Sequence, residues 1–104
     1  MGYKAVSVTD QVLNWVPVGK DQHETVSDSA RAITAPAGAQ FVQVNIIGAD
    51  VRWTMDGDDP VGGTTGALLK DGAFFYWNVK LLAMAKFIRD GASDAVVHVQ
   101  GFQV

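Results

Sequence analysis

Apolar and polar residues alternate along several short runs of the chain. Val42, Val44 and Ile46 fall on one face of an extended strand, and the polar residues between them fall on the other. Residues 51–55 and 94–102 repeat this period of two. Strict alternation is typical of strands that bury one face and expose the other. The pattern therefore predicts a chain built mainly of half-buried β-strands.

Turn-forming residues separate these runs at intervals of about 8–12 residues. Glycine occurs with aspartate or proline at residues 36–38, 48–50, 56–66, 70–72 and 90–93. The spacing predicts that residues 1–104 form a single all-β domain. We expect an antiparallel β-sandwich of about eight strands, jelly-roll or immunoglobulin-like. The short segment at 48–50 also predicts a tight hairpin between the strands on either side of it.

Residues 79–89 fit two structures. The segment is rich in helix-forming residues, and its apolar residues recur three and four positions apart, as on one face of a helix. Its position between two strand-and-turn units instead favours a turn and a strand, because local structure usually agrees with the fold around it. On that ground we expect a turn over residues 79–82 followed by a strand over residues 84–89.

Charge and composition exclude several classes of protein. The chain has 8 basic and 11 acidic residues, for a net charge of −3, and its lysines and arginines are scattered. We therefore expect no nucleic-acid partner, which would require a basic patch. No run approaches 18 apolar residues, and no signal peptide is recognisable at residues 1–10, so we expect no membrane partner. The absence of cysteine rules out disulfides and thiolate metal sites.

Candidate chemical groups are few and dispersed. The acidic loop at residues 56–59 could surround a cation, but aspartate and glycine are also the usual residues of a β-turn. His23 and His98 are 75 positions apart, and Glu24 is the only glutamate. The glycine-rich stretch 62–66 has no lysine at its end, so it lacks a phosphate-binding signature. We expect no enzyme, no cofactor, and no catalytic or metal-binding residue.

The aromatic residues are more informative. Residues 74–77 are all aromatic, so both faces of one strand carry large rings. Either the strand is buried on both sides, or one face forms an exposed apolar patch of the kind that marks interfaces and sugar platforms. On the second interpretation we predict that Trp15, Phe75, Trp77 and Phe102 form an interface.

The sequence between residues 51 and 68 resembles that of small virion proteins of tailed bacteriophages. The shared pattern is V-R-[YW]-T-x-D-G-x-x-P followed by T-G and a leucine, and it runs from Val51 to Leu68. An L-x-x-x-x-F-I-R segment matches at residues 82–89, and the resemblance extends over about residues 29–104. Residues 53–60 are also similar to a hairpin of the immunoglobulin-like domains of chitobiases, which supports a sandwich fold.

The phage resemblance implies a non-enzymatic structural protein located in the virion. Proteins of this kind decorate or cement heads, or join head and tail. The expected partners are the major capsid protein or another virion protein, together with further copies of the chain in a trimer or dimer. The alternatives are a tail or head–tail adaptor component and a carbohydrate-binding module. The matched residues are turn glycines, Pro60 and core positions, so the resemblance transfers no functional residue.

Overall fold

The computed structural model describes residues 15–104, and these form nine strands and one short helix. In chain order they are β1 (Val16–Pro17), β2 (Gln22–Val26), β3 (Arg31–Ala32), β4 (Phe41–Ile47), β5 (Val51–Thr54), β6 (Ala67–Leu69), β7 (Phe74–Asn78), α1 (Val79–Met84), β8 (Lys86–Arg89) and β9 (Ala95–Gln103). No helix in this part of the chain is long and apolar enough to cross a membrane.

Eight of the strands pair as a nested set: β2 with β9, β3 with β8, β4 with β7, and β5 with β6. These are the pairs of one long antiparallel ribbon that has been rolled into two sheets. The first sheet has the order β2-β9-β4-β7, with β1 pairing near the far end of β9, and the second has the order β3-β8-β5-β6. This is the strand order of a jelly roll. The predicted antiparallel β-sandwich is confirmed, in the jelly-roll form.

The core lies between the two sheets. Val42, Val44 and Ile46 of β4 are at most 1% exposed, which confirms the burial predicted from the alternation. On the neighbouring strand β9, Val99 pairs with Val44 and Val97 pairs with Ile46. Val97 and Val99 are fully buried. Burial of each such side chain contributes about 1.5–3 kcal/mol. The second sheet, its flanking loop and α1 contribute further buried side chains, namely Ile33, Val51, Leu82, Ala85 and Phe87.

The tight hairpin predicted at residues 48–50 is wrong. The segment instead carries the chain from the first sheet to the second, because β4 and β5 belong to different sheets. Gly48 N donates to Asp71 Oδ1 (2.9 Å), and Asp71 N donates to Asp50 Oδ1 (2.7 Å). These bonds fix the turn against the β6–β7 connection. Local turn chemistry predicted that the chain reverses, but the partner of each strand is set by distant residues.

The turn predicted over residues 79–82 is instead the helix α1. Asn78 Oδ1 accepts a hydrogen bond from Leu81 N (3.0 Å), which caps the first turn of the helix. Leu82 is fully buried and anchors the helix to the core. The strand that follows begins at Lys86, two residues later than predicted. Helix propensity together with a capping asparagine therefore outweighed the β context.

Candidate functional site on the outer face of the first sheet

One face of the first sheet packs on the second sheet, and the opposite face is the outer face. Side chains alternate along each strand, so residues paired across neighbouring strands share a face. The register places odd-numbered residues of β4 beside even-numbered residues of β7 and β9. The outer face therefore carries Trp15, His23, Phe41, Gln43, Asn45, Ile47, Phe74, Tyr76, Val96, His98, Gln100 and Phe102.

Four aromatic side chains, the aromatic cluster, gather at one end of the outer face: Trp15, Phe41, Tyr76 and Phe102. The Trp15 ring stacks on Phe41, with ring centroids 4.3 Å apart and planes 12° apart. Its centroid is 5.8 Å from those of both Tyr76 and Phe102. The register of β4 and β9 sets Phe41 directly opposite Phe102, and Trp15 joins them from just ahead of β1. Such ring pairs contribute about 0.5–1.5 kcal/mol each beyond area burial.

The outer face is apolar at both ends. Beside the aromatic cluster is an open groove of about 390 Å³, lined by Ala39, Gln40, Phe41, Asn78, Val79 and Lys80. Toward the other end of β4, Phe74 is 61% exposed and Ile47 is 45% exposed. Contiguous exposed apolar surface is uncommon on monomeric proteins and marks interaction sites. The face therefore has the composition of a contact surface.

A chain of hydrogen bonds, the polar ladder, crosses the middle of the outer face through Tyr76, Gln43, Asn45, His98 and Asp21. Gln43 Nε2 donates to Tyr76 Oη (2.9 Å). Asn45 Nδ2 lies 3.0 Å from His98 Nδ1 and 3.5 Å from Gln43 Oε1. The other ring nitrogen, His98 Nε2, lies 3.1 Å from Asp21 Oδ2. The ladder thus connects β7, β4, β9 and the segment just ahead of β2, and it contains no lysine or arginine.

Asp21, His23 and His98 converge at the end of the polar ladder. The register of β2 and β9 places His23 directly opposite His98, and their ring centroids are 4.6 Å apart. Potential ligand atoms of the three residues all lie within 4.8 Å of one another. The hydrogen bond with His98 lowers the pKa of the Asp21 carboxyl below its ordinary value. Two imidazoles and an anionic carboxylate therefore share one small region of the face.

The four residues predicted as an interface lie on opposite faces of the first sheet. Trp15 and Phe102 belong to the aromatic cluster of the outer face. Phe75 and Trp77 lie on the inner face, half-buried and packed against the core. The Trp77 ring centroid is 5.2 Å from that of Trp53 in the second sheet. An interface on the outer face contains Trp15 and Phe102 but not the other two; the interface role itself stays a prediction.

The acidic loop between β5 and β6 uses its carboxylates within the fold. Asp56 Oδ1 accepts a hydrogen bond from Asp58 N (3.0 Å), which is ordinary turn chemistry. Asp59 Oδ1 pairs with Lys86 Nζ (3.0 Å). Among residues 15–104, the group of potential ligands that converges is Asp21 with the two histidines.

Sequence reasoning placed His98 on the polar face of its strand, and this is confirmed. It missed the proximity of His23, because β2 and β9 lie near opposite ends of the described chain. The polar residues 19–24 predict an exposed loop, whereas the structure places Gln22–Val26 in strand β2. Pairing between two distant strands cannot be derived from either segment alone.

Comparisons of the chain with protein-family models, with curated proteins and with solved structures give no significant match. A functional interpretation therefore depends on the sequence resemblance described above and on the chemistry of the outer face. The face combines an aromatic cluster, a polar ladder without lysine or arginine, and a cluster of two histidines with one aspartate.

Proposed function

We propose that this chain is a non-enzymatic structural protein of a tailed-bacteriophage virion and acts as a head decoration or cement protein. The observation that carries the proposal is the aromatic cluster on a sheet face that the rest of the described chain leaves open. Its docking partner is the major capsid protein. Aromatic side chains supply much of the binding energy at protein interfaces, which supports this use of the cluster.

The composition of the outer face supports a protein partner. Interface centres are depleted of charged residues and enriched in aromatic ones. The strand residues of the outer face include aromatic, aliphatic and amide side chains, and neither lysine nor arginine is among them. Amide groups such as those of Gln43 and Gln100 can form hydrogen bonds with a partner without the desolvation cost of a buried charge. The face thus suits a stable contact with another folded surface.

The fold gives weaker support. Jelly rolls occur in viral capsid domains and also in lectins, so the architecture is compatible with both contexts. A fold by itself does not determine function. The resemblance of residues 29–104 to phage virion proteins supplies the context that the fold lacks.

The ring geometry favours a protein over a sugar as the partner. A flat sugar platform requires exposed rings that are nearly coplanar. In the aromatic cluster, one side of Trp15 is covered by Phe41, and its plane is 44° from that of Phe102 and 76° from that of Tyr76. Rings packed at these angles present no flat platform to a sugar and suit contact with the apolar side chains of a protein.

Light scattering tests the proposal, first on the purified chain and then on its mixture with capsids of the encoding phage assembled without it. We expect a dimer or trimer that adds to capsids at a fixed copy number, since several contacts per oligomer reinforce each other by avidity. Binding to tail or neck parts and not to capsids would contradict the decoration role and favour an adaptor. Binding to glycans and not to capsids would favour the carbohydrate-binding module.

A pair of variants tests the outer face separately. Trp15→Ala removes the ring at the centre of the aromatic cluster, and we expect it to weaken capsid binding by at least about tenfold. Leu68→Ala is the matched control, since Leu68 is 39% exposed but lies on β6 of the second sheet. Equal loss of binding in both variants, or in neither, would overturn the assignment of the docking surface.

A further inference from the structure

We propose that Asp21, His23 and His98 form a binding site for a divalent transition-metal ion, and that Zn²⁺ is the ion the ligands fit best. The inference stands independently of the proposed function, because it uses only the convergence of these three side chains. Imidazole nitrogen and carboxylate oxygen are common ligands of Zn²⁺, with bond lengths of about 2.0–2.2 Å.

The backbone brings the three ligands together. His23 and His98 are direct cross-strand partners, so their side chains leave the sheet side by side. Asp21 lies just ahead of β2, and its carboxylate reaches His98 Nε2 on the same face. Around a tetrahedral Zn²⁺ ion, neighbouring ligand atoms are about 3.3 Å apart. The distance of 3.1 Å between His98 Nε2 and Asp21 Oδ2 is already close to this value. All three ligand atoms lie within 4.8 Å of one another, so a small rotation of the exposed His23 side chain brings its ring nitrogen to the same spacing.

The polar ladder supplies the outer support that a metal-binding histidine requires. Such a histidine ligates through one nitrogen and donates the N–H of the other to a neighbouring acceptor. Asn45 lies directly opposite His98, with its amide 3.0 Å from His98 Nδ1. Turning this amide by 180° presents Oδ1 in place of Nδ2 and accepts the Nδ1 proton. Nε2 is then free of its proton and available to the ion.

The remainder of the ladder can follow the same reversal. With Asn45 turned, Gln43 can turn as well, so that its Nε2 donates to Asn45 Oδ1. Its Oε1 then accepts the hydroxyl proton of Tyr76, which lies 2.9 Å from the Gln43 amide. The hydrogen bonds from Tyr76 to His98 are thus kept in both directions. In the reversed direction His98 Nε2 and Asp21 Oδ2 face each other as two acceptors 3.1 Å apart, an arrangement that a bound cation satisfies.

A simple surface hydrogen bond accounts for only part of this arrangement. It explains the contact of His98 with Asp21, but it does not require a second imidazole 4.6 Å from the first. Two histidines opposite each other repel when both are protonated, and like charges directly across a strand pair are destabilising. A bound cation gives the pair a favourable interaction, because it engages both neutral rings and the carboxylate.

Isothermal titration of the tag-free, chelator-stripped chain with ZnCl₂ tests the site. We expect one Zn²⁺ per chain, together with a rise in Tm and a shift of both imidazole NMR signals on binding. His23→Gln and Asp21→Asn should each weaken Zn²⁺ binding by at least about tenfold, comparable to the loss of an outer partner in known metal sites. Both residues are exposed, so the variants should stay folded in the absence of metal, and their metal-free Tm values check this.

Asp58→Asn is the matched control, because Asp58 is an exposed aspartate of the acidic loop. It should bind Zn²⁺ as the parent does. Undetectable Zn²⁺ binding by the folded parent would overturn the proposal. So would full retention of affinity by His23→Gln, or a loss confined to Asp58→Asn.

Discussion

The outer surfaces of the two sheets are built from different chemistry. On the second sheet, Arg52 on β5 is bonded to Asp90 and also donates to Gly66 O (3.0 Å). Lys86 on β8 pairs with Asp59 (3.0 Å). These bonds hold the β5–β6 loop and the segment after β8 against that surface. Charged side chains there are satisfied by the domain's own loops.

The outer face of the first sheet carries packed rings and uncharged amides instead. Its hydrogen bonds run between neighbouring strands of the same sheet, as in the contact of Asn45 with His98. In the described part of the chain, Phe74 on this face remains 61% exposed. One surface thus holds loops in place, whereas the other leaves apolar side chains exposed in the described part of the chain. Substitutions on the two sides should separate folding from binding.

The largest expected effect comes from the interior shared by both sheets. Phe87 on β8 is fully buried, so Phe87→Ala should lower the free energy of unfolding by about 3–5 kcal/mol through lost burial and a cavity. Phe74→Ala removes the same ring from the outer face and should change stability by less than about 0.5 kcal/mol. Urea denaturation of both variants measures the difference. Similar losses in the two variants would mean that the outer face is part of the folding core.

Gly66 lies close to the backbone of β5 in the second sheet, and a substitution there tests this close approach. Its φ of +109° is unfavourable for other residues, and an added Cβ would lie 2.8 Å from the carbonyl oxygen of Trp53. We expect Gly66→Ala to cost about 2–3 kcal/mol, measured by urea denaturation. Gly72 has a φ of +89° and nothing within 4 Å of such a Cβ, so Gly72→Ala should cost only about 1 kcal/mol. A reversed order would contradict the close approach at Gly66.

The Arg52–Asp90 pair predicts a smaller, pH-dependent effect. The hydrogen bond from Arg52 lowers the pKa of Asp90, and Gly63 N donates to the same carboxylate (3.0 Å). A carboxyl with a lowered folded-state pKa stabilises the fold above its unfolded pKa. That contribution is lost as the pH falls through the folded pKa.

Asp90→Asn should therefore be less stable than the parent near neutral pH, and the difference should shrink as the pH falls below about 4. Urea midpoints of both proteins across this range provide the measurement. Arg52→Met is the companion variant, since it removes the hydrogen bond that lowers the pKa of Asp90 while leaving the Asp90 carboxyl in place. A stability difference between Asp90→Asn and the parent that is constant with pH would contradict the assigned role of the pair.

The parts of the fold that follow local rules were predictable. The period of two in β4 identified its buried residues, and the turn residues located most of the strand ends. Residues 79–84 were ambiguous because helix propensity and strand context disagreed, and the cap at Asn78 decided between them. The burial pattern of β4, the strand ends and the start of α1 each depend on residues that are close together in the sequence.

The site depends on pairings between distant segments, and these were not predictable. Residues 74–77 carry large rings on both sides of β7, so residue type alone could not distinguish the core side from the outer side. The structure places Trp77 inward and Tyr76 outward. The meeting of His23 with His98 required the β2–β9 pairing, which closes almost the whole ribbon. Long-range register, rather than residue type, creates the outer face.

The smallest expected effect tests whether the polar ladder acts as one unit. Tyr76→Phe removes the hydroxyl that lies 2.9 Å from the Gln43 amide, and it should cost about 0.5–1.5 kcal/mol because the bond is half-buried. Phenylalanine also cannot donate to Gln43 Oε1, so it hinders the ladder direction in which His98 Nε2 is free. We therefore expect Zn²⁺ affinity to fall by a few fold. This is less than the roughly 10–100-fold effect of removing a direct partner of a metal ligand. Unchanged Zn²⁺ binding alongside the expected loss of stability would confine the hydroxyl to a structural role and would show that the two ends of the polar ladder are not coupled.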